Sequence, residues 1–234
     1  MRRRSIRLPS GSVSWVSKVL AVTEKDIVSE FRTRYAINAI LMFALVTLTV
    51  ISFAVGAFSP TREVMAALFW IILFFAAMSG LAQVFIKEEE SGTALALKLA
   101  SDGTIIFFGK LLFNLALLFA MTIIVVPLFI ILLKTSPENW TFFIYAILLG
   151  NIGLAGATTI IAAIVSKATI KGALFTVLSF PVLMPLLIAV IEITKSAFLG
   201  GAFKDISAPM QLLIAYDVVM IILSYLLFDF VWRQ

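Results

Sequence analysis

Two residue types that carry much of protein chemistry are missing from this chain. It contains no cysteine and no histidine. Without cysteine there is no disulfide framework, no thiolate nucleophile and no cysteine-bound zinc. Without histidine the chain lacks the commonest metal ligand and the commonest general base. We therefore expect no catalytic residue, metal site or cofactor site on this chain.

A phosphate-binding loop for ATP is missing as well. Such a loop has the pattern G-x-x-x-x-G-K-[ST], whose backbone amides hold the phosphates. The nearest string is GTIIFFGKL, from Gly103 to Leu111, with five residues between the glycines and leucine where serine or threonine is needed. It also opens an apolar run. The chain is therefore not expected to hydrolyse nucleotide, and we predict that it is not an enzyme.

Charged residues are scarce: they make up 13% of the 234 residues, against 62% hydrophobic residues and a mean hydropathy of +1.12. A soluble domain is usually about half apolar, and runs of 18 or more apolar residues are typical of membrane spans. We predict an all-α integral membrane protein with six transmembrane helices. The predicted spans are approximately 36–58, 64–86, 104–133, 141–165, 172–194 and 210–231. Breaks are predicted at Ser59-Pro60, Ser136-Pro137 and Ala208-Pro209, because proline disfavours helix at the preceding residue.

The basic residues predict the orientation of these spans. With the N-terminus inside, fourteen of the eighteen Lys and Arg residues fall on the inner side, a strong positive-inside bias. The outer four are Arg62, Lys134, Lys195 and Lys204. Both termini are expected in the cytoplasm, and MRRRSIRLPSGS is interpreted as a retained segment, because no apolar stretch follows it closely enough for a secretory signal. Since most basic residues lie near the ends of apolar runs, the net charge of +5 indicates membrane lipid and not nucleic acid as partner.

Residues 1–35 are predicted to form a cytoplasmic segment containing an amphipathic helix along the inner interface. Apolar residues recur there at helical spacing, with Trp15 near the start and charged residues largely between them. The apolar positions are Val16, Val19, Leu20, Ile27 and Phe31. The alternative is a polar tail with scattered apolar residues. Residues 36–234 then form the six-helix transmembrane domain.

The stretch VFIKEEESGTALALKLASDG, from Val84 to Gly103, places an acidic block between two long apolar runs. Acidic residues at the start of a short helix complement its dipole, and Gly92 allows a sharp turn. Leu95 and Leu99 share one face of that helix, and a surface loop has no need of leucines. We predict a cytoplasmic coupling loop at 87–103 that docks on another protein. The residues assigned to docking are Glu88, Glu89, Glu90, Gly92, Leu95 and Leu99.

Other features of the spans have simpler alternatives. Gly150, Gly153 and Gly156 indicate close helix packing, because small residues let membrane helices approach one another. Glu192 and Asp217 are candidate pathway residues, since ionisable groups at membrane depth usually face a cavity or a partner. For Glu192 the alternative is an ion pair with Lys195, and for Asp217 a local contact.

Pro181 and Pro185 each remove a helical hydrogen bond, and they lie four residues apart in SFPVLMPLLI. A merely packed kink is the alternative, but we predict that the fifth span bends or breaks there. Residues from about Ile188 to Ala208 are then expected to form short re-entrant helices with a turn at Gly200-Gly201. That portion would close the outer end of a central pathway and place Glu192 near its mouth.

Three strings resemble the CcmB family, the membrane subunit of the ABC-type heme exporter of cytochrome c maturation. They are LAQVFIKEEESGTALALKLASDGTIIFFGKLL, LLGNIGLAGATTIIAAIVSK and KGALFTVLSFPVLMPLLI. The resemblance covers most of residues 20–234, and the basic extension before about Ser12 looks longer than is usual in the family. It implies an ABC-2 type (type V exporter-like) half-transporter that pairs with a second copy of itself.

The resemblance also implies partners. Each copy would dock on a separate ABC ATPase subunit that binds ATP and Mg²⁺. The complex would include other cytochrome c maturation membrane subunits and a periplasmic heme chaperone, in the bacterial inner membrane. Heme would be its cargo. Without histidine or cysteine, we expect heme iron to be held by another subunit, or the porphyrin to contact only apolar walls, because methionine and tyrosine are rarer axial ligands.

Three alternatives remain open from the sequence. One keeps the architecture and changes the cargo to lipid, polysaccharide or drug. Another is a secondary transporter or channel that works without ATP, which would need more midplane charge and often shows internal repeats. The last is a scaffold that anchors other maturation subunits and transports nothing.

Overall fold

The computed structural model describes residues 14–55, 60–168 and 171–233, and it folds them into α-helices joined by short turns. The basic segment with Arg2, Arg3, Arg4 and Arg7, and Ser59 of one predicted break, lie outside the described residues. The helices follow in this order: α1 Trp15–Thr33, α2 Tyr35–Val55, α3 Arg62–Gly80, α4 Gln83–Glu90, α5 Ala94–Ala100, α6 Gly103–Leu133, α7 Trp140–Val165, α8 Lys171–Leu199 and α9 Phe203–Arg233.

Six segments in the described part are long and apolar enough to cross a membrane, which confirms the predicted number. They are Tyr35–Val55, Arg62–Glu90, Gly103–Leu133, Trp140–Val165, Gly172–Leu199 and Phe203–Trp232. The second span consists of α3 and α4, joined at Leu81 and Ala82. The break at Ser136-Pro137 is confirmed between α6 and α7.

The core of the bundle lies where α3 and α7 meet their neighbours. Phe69 of α3 packs edge-on against Phe129 of α6, with ring centroids 5.2 Å apart, and against Phe143 of α7 at 5.3 Å. Trp70 is fully buried beside Gly150, where an added Cβ would lie 2.2 Å from the indole. The prediction that these glycines form a packing face is therefore confirmed.

Helix α1 forms as predicted, and the face that it buries against the protein carries both apolar and polar residues. Its buried residues are Val19, Val22, Thr23, Asp26 and Glu30. Of the other predicted apolar positions, Val16, Leu20 and Phe31 are exposed. The place of α1 along the inner membrane interface stays a prediction.

The two ends of the bundle differ in which connections they carry. One end, called here the α5 end, holds α1, α5, the start of α6 and the end of α9. The opposite end, called the Arg62 end, holds the α6–α7 and α8–α9 connections. There the backbone N–H groups of Glu138 and Asn139 donate to the carbonyl of Ala197 at 3.0 and 2.9 Å. Arg62 contacts both Glu138 and the carbonyl of Phe198.

The predicted break in the fifth span is wrong. Helix α8 runs without interruption from Lys171 to Leu199 and includes both Pro181 and Pro185. Prolines are tolerated in membrane helices when neighbouring groups satisfy the freed backbone. The carbonyls that the two prolines free are those of Val177 and Pro181. The hydroxyl of Tyr216 on α9 donates to the neighbouring carbonyl of Val182 at 3.0 Å and ties α9 to this part of α8.

The predicted re-entrant helices are also wrong. The apolar residues after Ile188 continue α8, where Val190, Ile193 and Phe198 are buried in the core. The predicted turn at Gly200-Gly201 is confirmed, with Gly200 at φ +69°. Helix α9 then begins at Phe203 and passes through Pro209. A break at Ala208-Pro209 is absent because the helix starts two turns earlier than its apolar run.

Candidate functional site

The predicted coupling loop consists of the end of α4, a turn and the short helix α5. Helix α4 ends at Glu90, so the acidic block forms its last turn and does not begin α5. The first turn of α5 contains no acidic residue. The predicted dipole role of the acids is therefore wrong. Gly92 has φ +67°, which confirms the predicted sharp turn.

Acidic residues at a helix C-terminus are unfavourable to the helix dipole, and lysines from other helices compensate them here. Glu88 lies beside Lys110 of α6 and Lys25 of α1. Glu89 lies 2.5 Å from Lys167, which follows α7. Residues far apart in sequence thus hold the acidic turn in place.

Four charged side chains from three helices form a group, called here the ion cluster: Lys25 and Asp26 of α1, Glu88 of α4 and Lys110 of α6. Asp26, Glu88 and Lys110 are buried, and the side chain of Lys25 is 44% exposed. The ammonium of Lys110 lies 3.0 Å from Oδ2 of Asp26 and 2.9 Å from Oε1 of Glu88. It also donates to the carbonyl of Val84 at 2.9 Å. Lys25 lies 3.1 Å from Asp26 and contacts Glu88.

Burial makes the ion cluster unlike a surface salt bridge. Lys110 is only 1% exposed, and its ammonium lies 5.6 Å from the centre of the Phe85 ring. Two lysines face two carboxylates, so the formal charges cancel. Partial burial of Lys25 disfavours its charged form, but the carboxylates of Asp26 and Glu88 more than offset this and raise its pKa above the ordinary value.

Thr93, which precedes α5, ties that helix to the ion cluster. Its hydroxyl donates to the carboxylate of Glu88, and its backbone N–H donates to the carbonyl of the same residue at 3.0 Å. Lys87 adds a further link to α1 by donating to Ser29 at 2.8 Å and to Thr33 at 3.1 Å. Helix α5 therefore begins directly from a group that joins α1, α4 and α6.

After the contact of Thr93 with Glu88, α5 exposes an apolar face on the surface of the protein. Leu95 is 66% exposed and Leu99 is 82% exposed, although both lie outside the six spans. Lys98 lies over the ring of Trp232 on α9, 5.3 Å from its centre. A groove of about 690 Å³ runs beside this contact, between the end of α5 and the start of α6.

The residues that the sequence assigned to docking divide into two groups. Leu95 and Leu99 lie on an open surface, and their docking role stays a prediction. Glu88 is buried and points into the ion cluster, so it holds the loop from inside. Glu89 is half-buried beside Lys167, and Glu90 is exposed at the end of α4.

The two candidate pathway acids lie in different surroundings. Glu192 pairs with Lys195 at 2.5 Å near the Arg62 end, as the simpler interpretation predicted. Asp217 of α9 is 5% exposed and packs against α7, where an added Cβ on Gly153 would lie 2.3 Å from its Oδ1. Neither carboxylate oxygen of Asp217 has a hydrogen-bond partner within the described residues. The pathway role of both acids stays a prediction.

Sequence reasoning missed Lys25, Asp26 and Lys110 as members of one site. Lys25 and Asp26 were interpreted as the polar side of an amphipathic helix, and Lys25 also as an inner-side charge. Lys110 was interpreted as an inner-side charge and as the lysine of the first of the three resembling strings. The ion pairs between different helices join positions 22 to 84 residues apart, which sequence spacing does not show. One signal was present: Lys110 lies seven residues inside an apolar span, where an ionisable residue indicates a specific partner.

The fold defines a polytopic helical membrane protein with a charged junction and an exposed apolar helix at one end. A family model, described as CcmB protein, matches residues 17–230, nearly the whole chain, and the chain belongs to the CcmB family. This family is the membrane permease subunit of an ABC heme exporter in cytochrome c biogenesis. No curated protein matches the chain. The resemblance predicted from the three strings is confirmed.

Proposed function

We propose that the chain is the permease of an ATP-driven transporter that exports heme, or delivers it to a periplasmic chaperone, for cytochrome c maturation. Membership of the CcmB family supports an ABC ATPase as partner. The chain has no phosphate-binding loop of its own. ATP and Mg²⁺ would therefore bind to that separate subunit, and this chain would convert its movement into transport.

The exposed leucines of α5 carry this proposal. A soluble surface helix buries its apolar stripe, yet Leu95 and Leu99 remain open in the protomer. Helix α5 lies outside the six spans, so we propose that a protein, and not the hydrocarbon of the bilayer, covers them. A cleft on the ATPase subunit would cover both side chains, and we assign α5 as the coupling helix.

Orientation and assembly follow from the same assignment. The ATPase is a cytoplasmic subunit, so the α5 end would face the cytoplasm, as the positive-inside bias predicts. The Arg62 end would face the periplasm of a bacterial inner membrane, where the heme chaperone and other maturation subunits would contact the complex. Two copies of the chain would enclose the path of the cargo.

The chemistry of the chain limits how it can handle heme. The full chain contains no histidine or cysteine, so its candidate axial ligands for heme iron are the rarer ones, methionine and tyrosine. We propose that the porphyrin passes along apolar walls while another subunit holds its iron. Glu192 and Asp217 remain the proposed polar contacts near that path.

The coupling role of α5 is tested by replacing its two exposed leucines. Leu95→Asp/Leu99→Asp should insert in the membrane but lose its ATPase subunit, because two buried leucines contribute on the order of 3 kcal/mol, equivalent to roughly 100-fold in affinity. The measurement is copurification of the ATPase with tagged permease, together with heme-stimulated ATP hydrolysis by the complex.

A matched control is available on the same helix. Ala96→Asp/Ala100→Asp adds the same two charges at the same spacing on an adjacent, exposed face. This control should retain the ATPase. Normal copurification and activity of the leucine variant would rule out α5 as the coupling helix. Hydrolysis that responds to a lipid and not to heme would indicate a different cargo.

A further inference from the structure

Helix α1 is joined to the rest of the bundle by two different kinds of contact. Against α6 it packs apolar side chains, with Val19 and Val22 beside Ile105. Val22 approaches α6 closely because position 109 is glycine, where an added Cβ would lie 2.6 Å from the valine. Towards α4 the observed links are polar: Lys25 with Glu88, and Lys87 with Ser29 and Thr33.

The polar links form a continuous connection from α5. Thr93 at the start of α5 bonds to Glu88, and Glu88 bonds to Lys25 and Lys110. Both lysines bond to Asp26 in the middle of α1. A displacement of α5 that moves Thr93 must therefore either move α1 with it or break hydrogen bonds of buried charges.

We propose that the ion cluster transmits movement of the coupling helix α5 to α1 and α6, with Lys110 as the positioning residue at its centre. This inference rests on the proposed function of α5. Lys110 suits the task because its single ammonium binds Asp26 of α1, and both Glu88 and the Val84 carbonyl of α4, at once. Well-packed apolar residues would often stabilise such a junction as well as ions do. Helices in apolar contact could slide past one another, however, whereas hydrogen bonds to a buried charge fix the relative positions of the helices.

The ion cluster does not act by touching the ATPase itself. Lys110 and Asp26 are buried, and the exposed apolar surface of α5 lies beyond the Gly92 turn. Loss of Lys110 should therefore leave docking intact while it weakens the response of α1. A merely structural role would lower the amount of folded complex and every activity in the same proportion.

The test follows α1 with a spin label on the complete complex of permease and ATPase. The chain contains no cysteine, so Val28→Cys adds its only thiol, at a position of α1 that is 61% exposed. The label's line shape is recorded with and without ATP. In the otherwise unchanged chain we expect an ATP-dependent change. Lys110→Met should cut this change by about fivefold or more, the lower end of ordinary coupling between two sites, with the ATPase still bound.

Two further variants make the result decisive. Lys18→Met removes an exposed charge from the same helix and should leave the change intact. Thr93→Val keeps the side-chain shape, removes only the hydroxyl link to Glu88, and should roughly halve the change. It replaces Lys110→Met if that variant does not fold.

The outcomes separate the two claims. An ATP response that persists in both Lys110→Met and Thr93→Val overturns the inference, as does an equal loss in Lys18→Met. Parallel loss of folded complex, ATP hydrolysis and label response in Thr93→Val also overturns it, since that is a structural effect. If the ATPase fails to copurify with the unchanged chain, the proposed function is wrong, and the inference that rests on it is wrong as well.

Discussion

The α5 end and the Arg62 end of the bundle are both held by ion pairs, but the pairs at the α5 end centre on a buried cation, whereas the pair of Arg62 and Glu138 is exposed. At the α5 end Lys110 is 1% exposed, and its partners come from α1 and α4. At the Arg62 end, the side chains of Arg62 and Glu138 are 46% and 52% exposed. Backbone hydrogen bonds to Ala197 carry much of the contact there. The difference indicates one end whose geometry depends on charge and another that depends on the backbone.

The largest effect should come from removing the central cation of the α5 end. Lys110→Met leaves the carboxylates of Asp26 and Glu88 buried and undercompensated, which typically destabilises by about 3–5 kcal/mol. The measurement is thermal or denaturant unfolding of the purified chain in detergent. Lys110→Met/Asp26→Asn should recover part of the loss because one unpaired charge is then removed. If Lys110→Met lowers the free energy of unfolding no more than loss of an exposed ion pair does, the two ends do not differ in their dependence on charge.

A smaller loss of stability is expected from replacing two glycines that have positive φ, one in a turn at each end of the bundle. Gly92→Ala and Gly200→Ala both place a Cβ on residues with positive φ, which costs about 1–2 kcal/mol. At Gly92 the added atom meets nothing within 4 Å, while at Gly200 it would lie 2.6 Å from Oε2 of Glu138. We expect Gly200→Ala to be the more destabilising of the two in the same unfolding assay. The reverse order would mean that the Arg62 end tolerates displacement of Glu138.

The smallest effect should come from the exposed pair at the Arg62 end. Arg62→Gln is expected to cost less than about 1 kcal/mol, because solvent screens exposed charges. The loss should shrink further in high salt, whereas that of Lys110→Met should change little. Unfolding at low and high ionic strength measures both. A large, salt-independent loss at Arg62 would show that its contact with the Phe198 carbonyl matters more than its charge.

The spans could be predicted from the sequence because their signal is local. Long apolar runs identify a membrane helix without knowledge of its neighbours, and all six were found. The glycines of α7 were also assigned correctly, since Gly150 and Gly153 have a close neighbour on another helix. These features depend on hydropathy and side-chain size, which can be read from the residues themselves without knowledge of their neighbours in the fold.

The errors concern places where a distant residue decides the outcome. Pro181 and Pro185 suggested a break, but α8 continues through both, and its buried residues pack in the core. The pattern of α1 predicted an amphipathic helix but gave no sign that Asp26 is buried, because its partner Lys110 lies 84 positions later. Local sequence patterns carry no information about such distant partners, so the fold was more predictable than the site.

The buried indole of Trp70 joins three helices at one point. Its Nε1 donates to Thr194 of α8 at 2.7 Å, and its ring fills the space left by Gly150 of α7, while its backbone belongs to α3. Separating any two of these helices would open a cavity or break that hydrogen bond. Helices α3, α7 and α8 should consequently behave as one rigid body during a transport cycle. Relative motion is then left to the spans with the most exposed surface, α2, α6 and α9, and to α1 alongside them.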